Sequence, residues 1–301
     1  MNTKSILVSV LALFIGTIVY AQNLKPYTIG AYAEGSIKDV ASMVEQNLRS
    51  EGFEVIGSYR PVEDNNRWVI SFTSDDLRSA VKKTGGLTGF ALAWRVALTK
   101  ENGTVIISYP TPEYWGNAYF RDSFAKVKNE YASYSTKILN AMKACGTKGG
   151  ATFGSEEGHD KDKLQNYKYM FGMPKFDKTH TLNEFSSYDE AVRTIDANLQ
   201  KGVSNLEKVY SVEIKDKQLK LYGIGLRGEK GEGKFMHKID VSSPKHTAFL
   251  PYEFLVKGNE VHMLHGRFRI ALSFPDLSMG QFMKIVSTPP DIKDLLETAT
   301  L

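Results

Sequence analysis

The chain has 301 residues, 42% of them hydrophobic and 24% charged, an ordinary balance for a folded globular protein. Its net charge of +4 is spread without runs, too weak and diffuse to argue for a nucleic-acid partner or a membrane surface. Cys145 is the sole cysteine, which excludes an intrachain disulfide, and at about 100–200 residues per domain the length suggests two domains, each with a self-sufficient core.

The first residues read as an export signal. Lys4 precedes an apolar run from Ile6 to Ile15, too short to span a bilayer, and Val19-Tyr20-Ala21 offers acceptable residues at the −3 and −1 positions for cleavage after Ala21. A periplasmic or secreted protein beginning at Gln22 is therefore expected. No cysteine lies near the site to take a lipid, and no later stretch approaches transmembrane length, so no stable membrane insertion is expected.

A strand-like stretch, Tyr27 to Tyr32, opens residues 22–144, the expected first domain. Ser36 then caps a helix whose Ile37, Val40, Val44 and Leu48 share one face, and Gly52 ends it. Phe53–Tyr59 and Trp68–Phe72 read as strands around the polar turn Glu63–Asn66. Ser74 caps a shorter helix stopped by Gly85-Gly86, and a hairpin follows, turned at Asn102-Gly103. Beyond Gly116, Phe120, Phe124, Val127, Tyr131, Tyr134, Ile138, Met142 and Cys145 predict one long amphipathic helix.

Residues 145–178 form a connector. Gly146 to Lys163 is rich in glycine and charge and is expected to be mobile, whereas Tyr167–Pro174 is too aromatic for a solvated linker and is expected to dock. Residues 179–301, the second domain, repeat the first. A helix from Ser187 to about Gln200 and a hairpin at Asp216-Lys217 are followed by an irregular stretch, Gly231–His246. A second hairpin then turns at Gly258-Asn259, with its last strand running from Val261 to Phe274, and after Phe282, Met283 and Ile285 the pattern breaks at Pro289-Pro290.

The repetition is also visible residue by residue. Ser36–Leu48 matches Ser187–Leu199 with the same Ser-to-Asn spacing of 11, and Ile107-Ser108-Tyr109-Pro110 echoes Leu272-Ser273-Phe274-Pro275. The period is far longer than a stacking solenoid unit, so it indicates duplicated domains. The expected fold is α+β: two tandem copies of a small antiparallel sheet with helices on one face, packed as a pseudo-dimer.

The helix-to-strand junction Asn47-Leu48-Arg49-Ser50-Glu51-Gly52-Phe53-Glu54-Val55-Ile56, together with the later hairpin Asn102–Ser108, resembles a bacterial domain-of-unknown-function family, number three-hundred-and-two. The resemblance covers about Tyr27–Tyr119 and, more loosely, Glu184–Ile285. It implies small α+β units able to pair as dimers and carries no catalytic residues. Ala271–Asp276 with Tyr167–Phe176 also resembles exported proteins of Gram-negative bacteria.

The strongest candidate site is the expected strand Val261–Phe274. Alternation would bury Leu264, Phe268, Ile270, Leu272 and Phe274 and align Met263, His265, Arg267 and Arg269 on the opposite face, about 7 Å from neighbour to neighbour. His265, Arg267 and Arg269 could then clamp a carboxylate or phosphate, since guanidinium forks suit such oxyanions. The plainer alternative is a solvated sheet face, or one paired with acids of the other domain. Tyr114 and Trp115, in the Pro-stiffened segment Tyr109–Trp115, could stack on a sugar or apolar ligand or could plug the domain core; the structural role is favoured because both copies carry such a segment.

Other constellations are weaker. His262, Met263, His265, Met279 and Met283 have ligand types suited to copper but no recognised spacing, so no metal is expected. Gly146–Gly154 lacks the Gly-Lys-Ser/Thr ending of a phosphate loop, no Gly-x-Ser-x-Gly elbow occurs, and Cys145 continues an apolar helix face as an inert thiol. No catalytic residue and no cofactor can be named. The expected function is binding, of a small anionic or apolar ligand or of an envelope protein, by a monomer with an internal pseudo-dimer or a weak homo-oligomer. The alternative is an envelope or extracellular enzyme of unnamed reaction.

Overall fold

The computed structural model describes residues 23–301; the expected export signal and its cleavage point lie outside the described residues. The matched serines do the same work in each half. Ser36 caps α1 (Ile37–Ser50) by accepting from the Asp39 N–H, and Ser187 caps α6 (Tyr188–Lys201) by accepting from the Glu190 N–H. The matched asparagines also act alike. Asn47 donates to Cys145 Sγ and Asn198 to the carbonyls of Ala299 and Leu301, so each ties its helix to the segment that closes its half.

Around these helices the first half runs β1 (Tyr27–Ala33), α1, β2 (Glu54–Tyr59), β3 (Arg67–Thr73), α2 (Asp75–Thr84), β4 (Trp94–Glu101), β5 (Thr104–Pro110) and α3 (Pro112–Phe120). After α4 (Lys128–Lys143), β6 (Thr152–Phe153) and α5 (Lys161–Gln165), the second half runs β7 (His180–Glu184), α6, β8 (Leu206–Ile214), β9 (Leu219–Leu226), α7 (Glu232–Ile239), β10 (Tyr252–Lys257), β11 (Glu260–Met263) and α8 (Gly266–Ser273). Two more helices follow, α9 (Met279–Met283) and α10 (Thr288–Glu297). Both sheets are antiparallel and share one topology: β2-β3-β4-β5-β1, extended by β6, matches β8-β9-β10-β11-β7. The fold is thus α+β with the expected pair of like-ordered sheets.

The halves cover each other reciprocally. The 3₁₀ turn Gly86–Ala91, between α2 and β4, packs on β9 and β10, while the turn Thr247–Phe249, at the same point of the second half, packs on β3, β4 and β5. Edge strands β2 and β8 each carry one bulge, at Ile56 and Val209, and abut there: a Cβ on Gly57 would overlap the Val209 carbonyl oxygen. Alternation along the strands feeds two cores. Leu219 and Leu221 join the core under α1, α2 and α4, while Tyr222 and Ile224 join the core of the second half.

Several expectations need correction. The strand expected over Val261–Phe274 ends at Met263, and Gly266–Ser273 is helix α8. That helix is buried nearly all round: Phe268, Ala271 and Leu272 serve one core and Ile270 and the following Phe274 the other, so its sequence mimics strand alternation. The Ser-Tyr-Pro and Ser-Phe-Pro corners are not equivalent, because Pro110 ends a strand whereas Pro275 follows α8. Gly231–His246, read as irregular, contains α7, and β7 supplies a strand unforeseen before α6. The long helix breaks at Arg121, with φ of 52°, into a 3₁₀ stretch and α4. Pro289 and Pro290 open α10, where their missing N–H groups cost nothing.

The connector is bonded to the fold. Thr147 exchanges backbone hydrogen bonds with Tyr32, and Ile29 with Gly150 and Ala151, so the segment lies along the free edge of β1. Its glycines serve close approach: a Cβ on Gly146 or Gly149 would overlap the Tyr32 or Gly30 carbonyl.

Candidate functional site

The residues expected to form one basic row lie in three different environments. His265 caps α8, accepting from the Arg267 N–H at 3.2 Å, and its ring lies 4.4 Å from that of His180 on β7. Burial, then the neighbouring His180 and Arg267, lower the His265 pKa to about 4; burial and Lys293 also lower that of His180. The pair is therefore neutral near pH 7. Arg267, on the outer side of α8, is exposed and forms no ion pair among the described residues.

Arg269 points the opposite way, into the seam between the halves. It is 3% exposed, donates to the carbonyls of Phe249 at 2.8 Å and Pro251 at 2.6 Å, and lies 3.1 Å from Glu253 Oε2. Its guanidinium also sits 4.6 Å from the centroid of Tyr252. Glu253, wholly buried, accepts from the Tyr210 hydroxyl at 2.6 Å and meets Arg95 of the first half at 3.2 Å. Among the described residues, Arg267 lines one concavity and Arg269 another, and His265 lines neither. The helical turn separates residues that a strand would have aligned.

Tyr114 and Trp115 are core residues of α3. The Tyr114 hydroxyl donates to the Leu272 carbonyl in α8, so the equivalent third helices of the two halves meet there. Trp115 donates to the Pro26 carbonyl and packs against Tyr119 and Trp94. The copper-type set is likewise dispersed. His262 bonds to Thr179 and Glu260, Met263 is buried, and Met279 and Met283 lie on α9.

Those two methionines face an apolar concavity. A cleft of about 250 Å³ opens between the connector and the region following α8. Met170 and Met173 form one wall and Met279, Met283 and Val286 the other, with Ile270, Phe274 and Phe282 also lining it. Among the described residues, Arg267 is the sole charged one in the lining. Met170, Met279, Met283 and Val286 remain exposed, and the adjacent Phe171 is 96% exposed. So much apolar surface around one concavity marks a binding site more often than a passive surface. Unbranched methionines adapt their shape to varied apolar guests.

Part of the connector expectation therefore needs refinement. Tyr167 docks, its ring 5.2 Å from that of His159, but Tyr169, Met170 and Phe171 stay exposed at the cleft. The sequence signal for the site was the methionine pair at i and i+4 in Met279–Met283, with Met170 and Met173 more than a hundred residues away. Only the tertiary fold joins them.

Neither a family model nor a curated protein matches this chain. One similar solved structure is an uncharacterized conserved protein, DUF302, from Bacillus stearothermophilus. It is 16% identical, with a TM-score of 0.33, and the match covers 39% of this chain and 94% of that one.

Proposed function

We propose that the protein is an exported, non-enzymatic binding protein of the cell envelope, whose methionine-lined cleft holds a small apolar molecule with an anionic end. The observation that carries this reading is the composition of the cleft: an apolar concavity beside α8 with one unpaired cation, Arg267, in its lining. Its volume, about 250 Å³, lies near the lower end for small-molecule sites and suits a medium-chain or single-ring carboxylate. The apolar wall supplies burial at roughly 25 cal/mol per Å². The exposed guanidinium adds the modest term of a solvated ion pair, on the order of 0.2–1 kcal/mol.

Titration calorimetry with decanoate and decanol tests this. Decanoate should bind saturably, up to about fivefold more tightly than decanol, the factor set by an exposed ion pair. Arg267→Ala should erase that difference, and Met283→Glu should abolish binding of both by placing a charge in the apolar wall. Saturable binding of neither amphiphile to the wild-type protein would overturn the reading.

A further inference from the structure

Much of the apolar surface that the fold leaves uncovered lies on one face. Of the nine large hydrophobic side chains exposed among the described residues, six stand at or beside the methionine-lined cleft: Tyr169, Met170, Phe171, Met279, Met283 and Val286. Two local structures display them. The Met170 carbonyl accepts from the Met173 N–H at 3.1 Å and closes a turn with Phe171 and Gly172 at its corners. Gly172 takes φ of 78°, the value such a turn needs at its third residue. Phe171 therefore projects from the tip and is 96% exposed. Across the cleft, the short helix α9 sets Met279 and Met283 one turn apart on one side.

The charges bordering this face have one sign. Lys168 and Lys175 are the only charged residues from Tyr167 to Phe176, Lys284 is the only one from Leu277 to Pro290, and Arg267 lines the cleft between those segments. None of the four meets a carboxylate among the described residues, and the flanking acids are engaged elsewhere: Asp177 with Arg121, Asp291 with Lys230 and Lys234. The charge of the whole chain is small and diffuse, but a surface potential acts only within a Debye length, so the local cluster decides. A protruding aromatic among methionines, bordered by lysines, fits the interface of an anionic bilayer. There the apolar side chains enter the boundary between headgroups and acyl chains, while lysine stems lie along it and their ammonium groups reach the phosphates. A protein partner fits less well, because protein interfaces are depleted of lysine and their anchoring aromatics fill pockets, whereas Phe171 stands clear. We propose that this face is a peripheral docking surface for an anionic lipid bilayer, with Phe171 as its anchor and Lys168, Lys284 and Arg267 as its phosphate contacts. Phe171 lies outside the cleft lining, so docking is separable from the binding of a small molecule within the cleft.

Vesicle flotation tests the surface, using the chain from Gln22, which contains every described residue and omits the expected export signal. Vesicles of phosphatidylcholine with about 30% phosphatidylglycerol should carry the protein saturably, vesicles of phosphatidylcholine alone much less, and about 0.5 M salt should release it. Phe171→Ser should weaken binding to the anionic vesicles at least about tenfold, the lower end for burying such a ring. Lys168→Ala and Lys284→Ala should each weaken it about fivefold. All three side chains are exposed, so Tm should stay within about 2 °C of wild type. Phe171→Trp supplies a direct reporter, since Trp94 and Trp115 are buried and Trp68 is half-buried, and its emission should shift to the blue on anionic vesicles. Phe171→Ser should leave decanoate binding unchanged, which distinguishes loss of docking from loss of the cleft ligand. Absence of binding to anionic vesicles at low salt, or equal binding by wild type and Phe171→Ser, would overturn the proposal. Self-association in place of vesicle binding, abolished by Phe171→Ser, would also overturn it and assign the patch to a second copy of the chain.

Discussion

Arg95 and Glu253 hold the same place in the two halves and meet each other across the seam. Counting from the bulges, Gly57 pairs with Ser71 and Ser71 with Arg95; in the second half Tyr210 pairs with Gly223 and Gly223 with Glu253. The side chains approach to 3.2 Å. Were the halves identical at this point, two like charges would face each other in the core. The pairing therefore requires two different halves, and one chain carrying both guarantees the correct partner.

Glu253→Gln should consequently be among the most damaging single changes in the molecule. It leaves the volume almost unchanged but strands Arg95 and Arg269 without their shared carboxylate. The expected loss is about 3–5 kcal/mol, the range for breaking a buried pair from one side. Urea denaturation of both proteins measures it. A loss below about 1 kcal/mol would show that the seam tolerates the extra charge.

Gly57→Ala probes the contact between the edge strands. The new methyl would overlap the Val209 carbonyl oxygen, a backbone atom that cannot rotate away, so β2 and β8 must separate at their bulges. A cost of about 1–3 kcal/mol is expected, against less than about 0.5 kcal/mol for an exposed position such as Gly280, where a Cβ meets nothing. Equal effects at Gly57 and Gly280 would mean that the edge contact contributes little.

What could be read in advance was local. Ser36 and Ser187 announced their helices because capping is settled within a few residues, and Asn102-Gly103 announced its hairpin because both residues must take positive φ, found here at 51° and 88°. Arg269 was misplaced because α8 touches two cores, and a helix apolar on several sides imitates strand alternation. Gly146 and Gly149 suggested mobility, whereas their lack of a Cβ lets the connector lie against β1. The cleft was illegible because Met170 and Met283 meet only after the chain has closed on itself.

Arg267 and Arg269, two residues apart in sequence, should behave oppositely. Arg267→Ala removes an exposed side chain without an ion pair and should leave Tm within about 1 °C of wild type. Arg269→Ala removes contacts to Glu253, Phe249 and Pro251 and the stacking on Tyr252, and it should lower stability by several kcal/mol, about 3 or more. Parallel melts of the single variants decide it; similar behaviour of the two would return both arginines to one surface.

The pH dependence of stability should carry the signature of Glu232, the first residue of α7. Its carboxylate is wholly buried and accepts from the Tyr59 hydroxyl at 3.0 Å and the Val62 and Leu226 N–H groups at 3.1 and 3.2 Å. It thereby holds the turn in which Val62 and Glu63 both have positive φ. Burial pushes its pKa from 4.5 up to about 7 despite these donors and Arg227. Between those values the folded protein keeps a proton that the unfolded chain has released, so this group's contribution to stability falls as pH rises and is fully lost above about 7. His159 and His246, held neutral by burial, act in the opposite sense below 6.5, the ordinary histidine value. Comparison with Glu232→Gln cancels the histidine effects. The wild type should exceed the variant most at about pH 4.5, and the gap should shrink by up to about 3 kcal/mol by about pH 7.5, because each proton retained by the folded state alone costs about 1.4 kcal/mol per pH unit. Urea midpoints of both proteins across that range measure it, and a gap that stays constant or widens with pH would show that the three hydrogen bonds outweigh burial and keep Glu232 an ordinary ionised carboxylate.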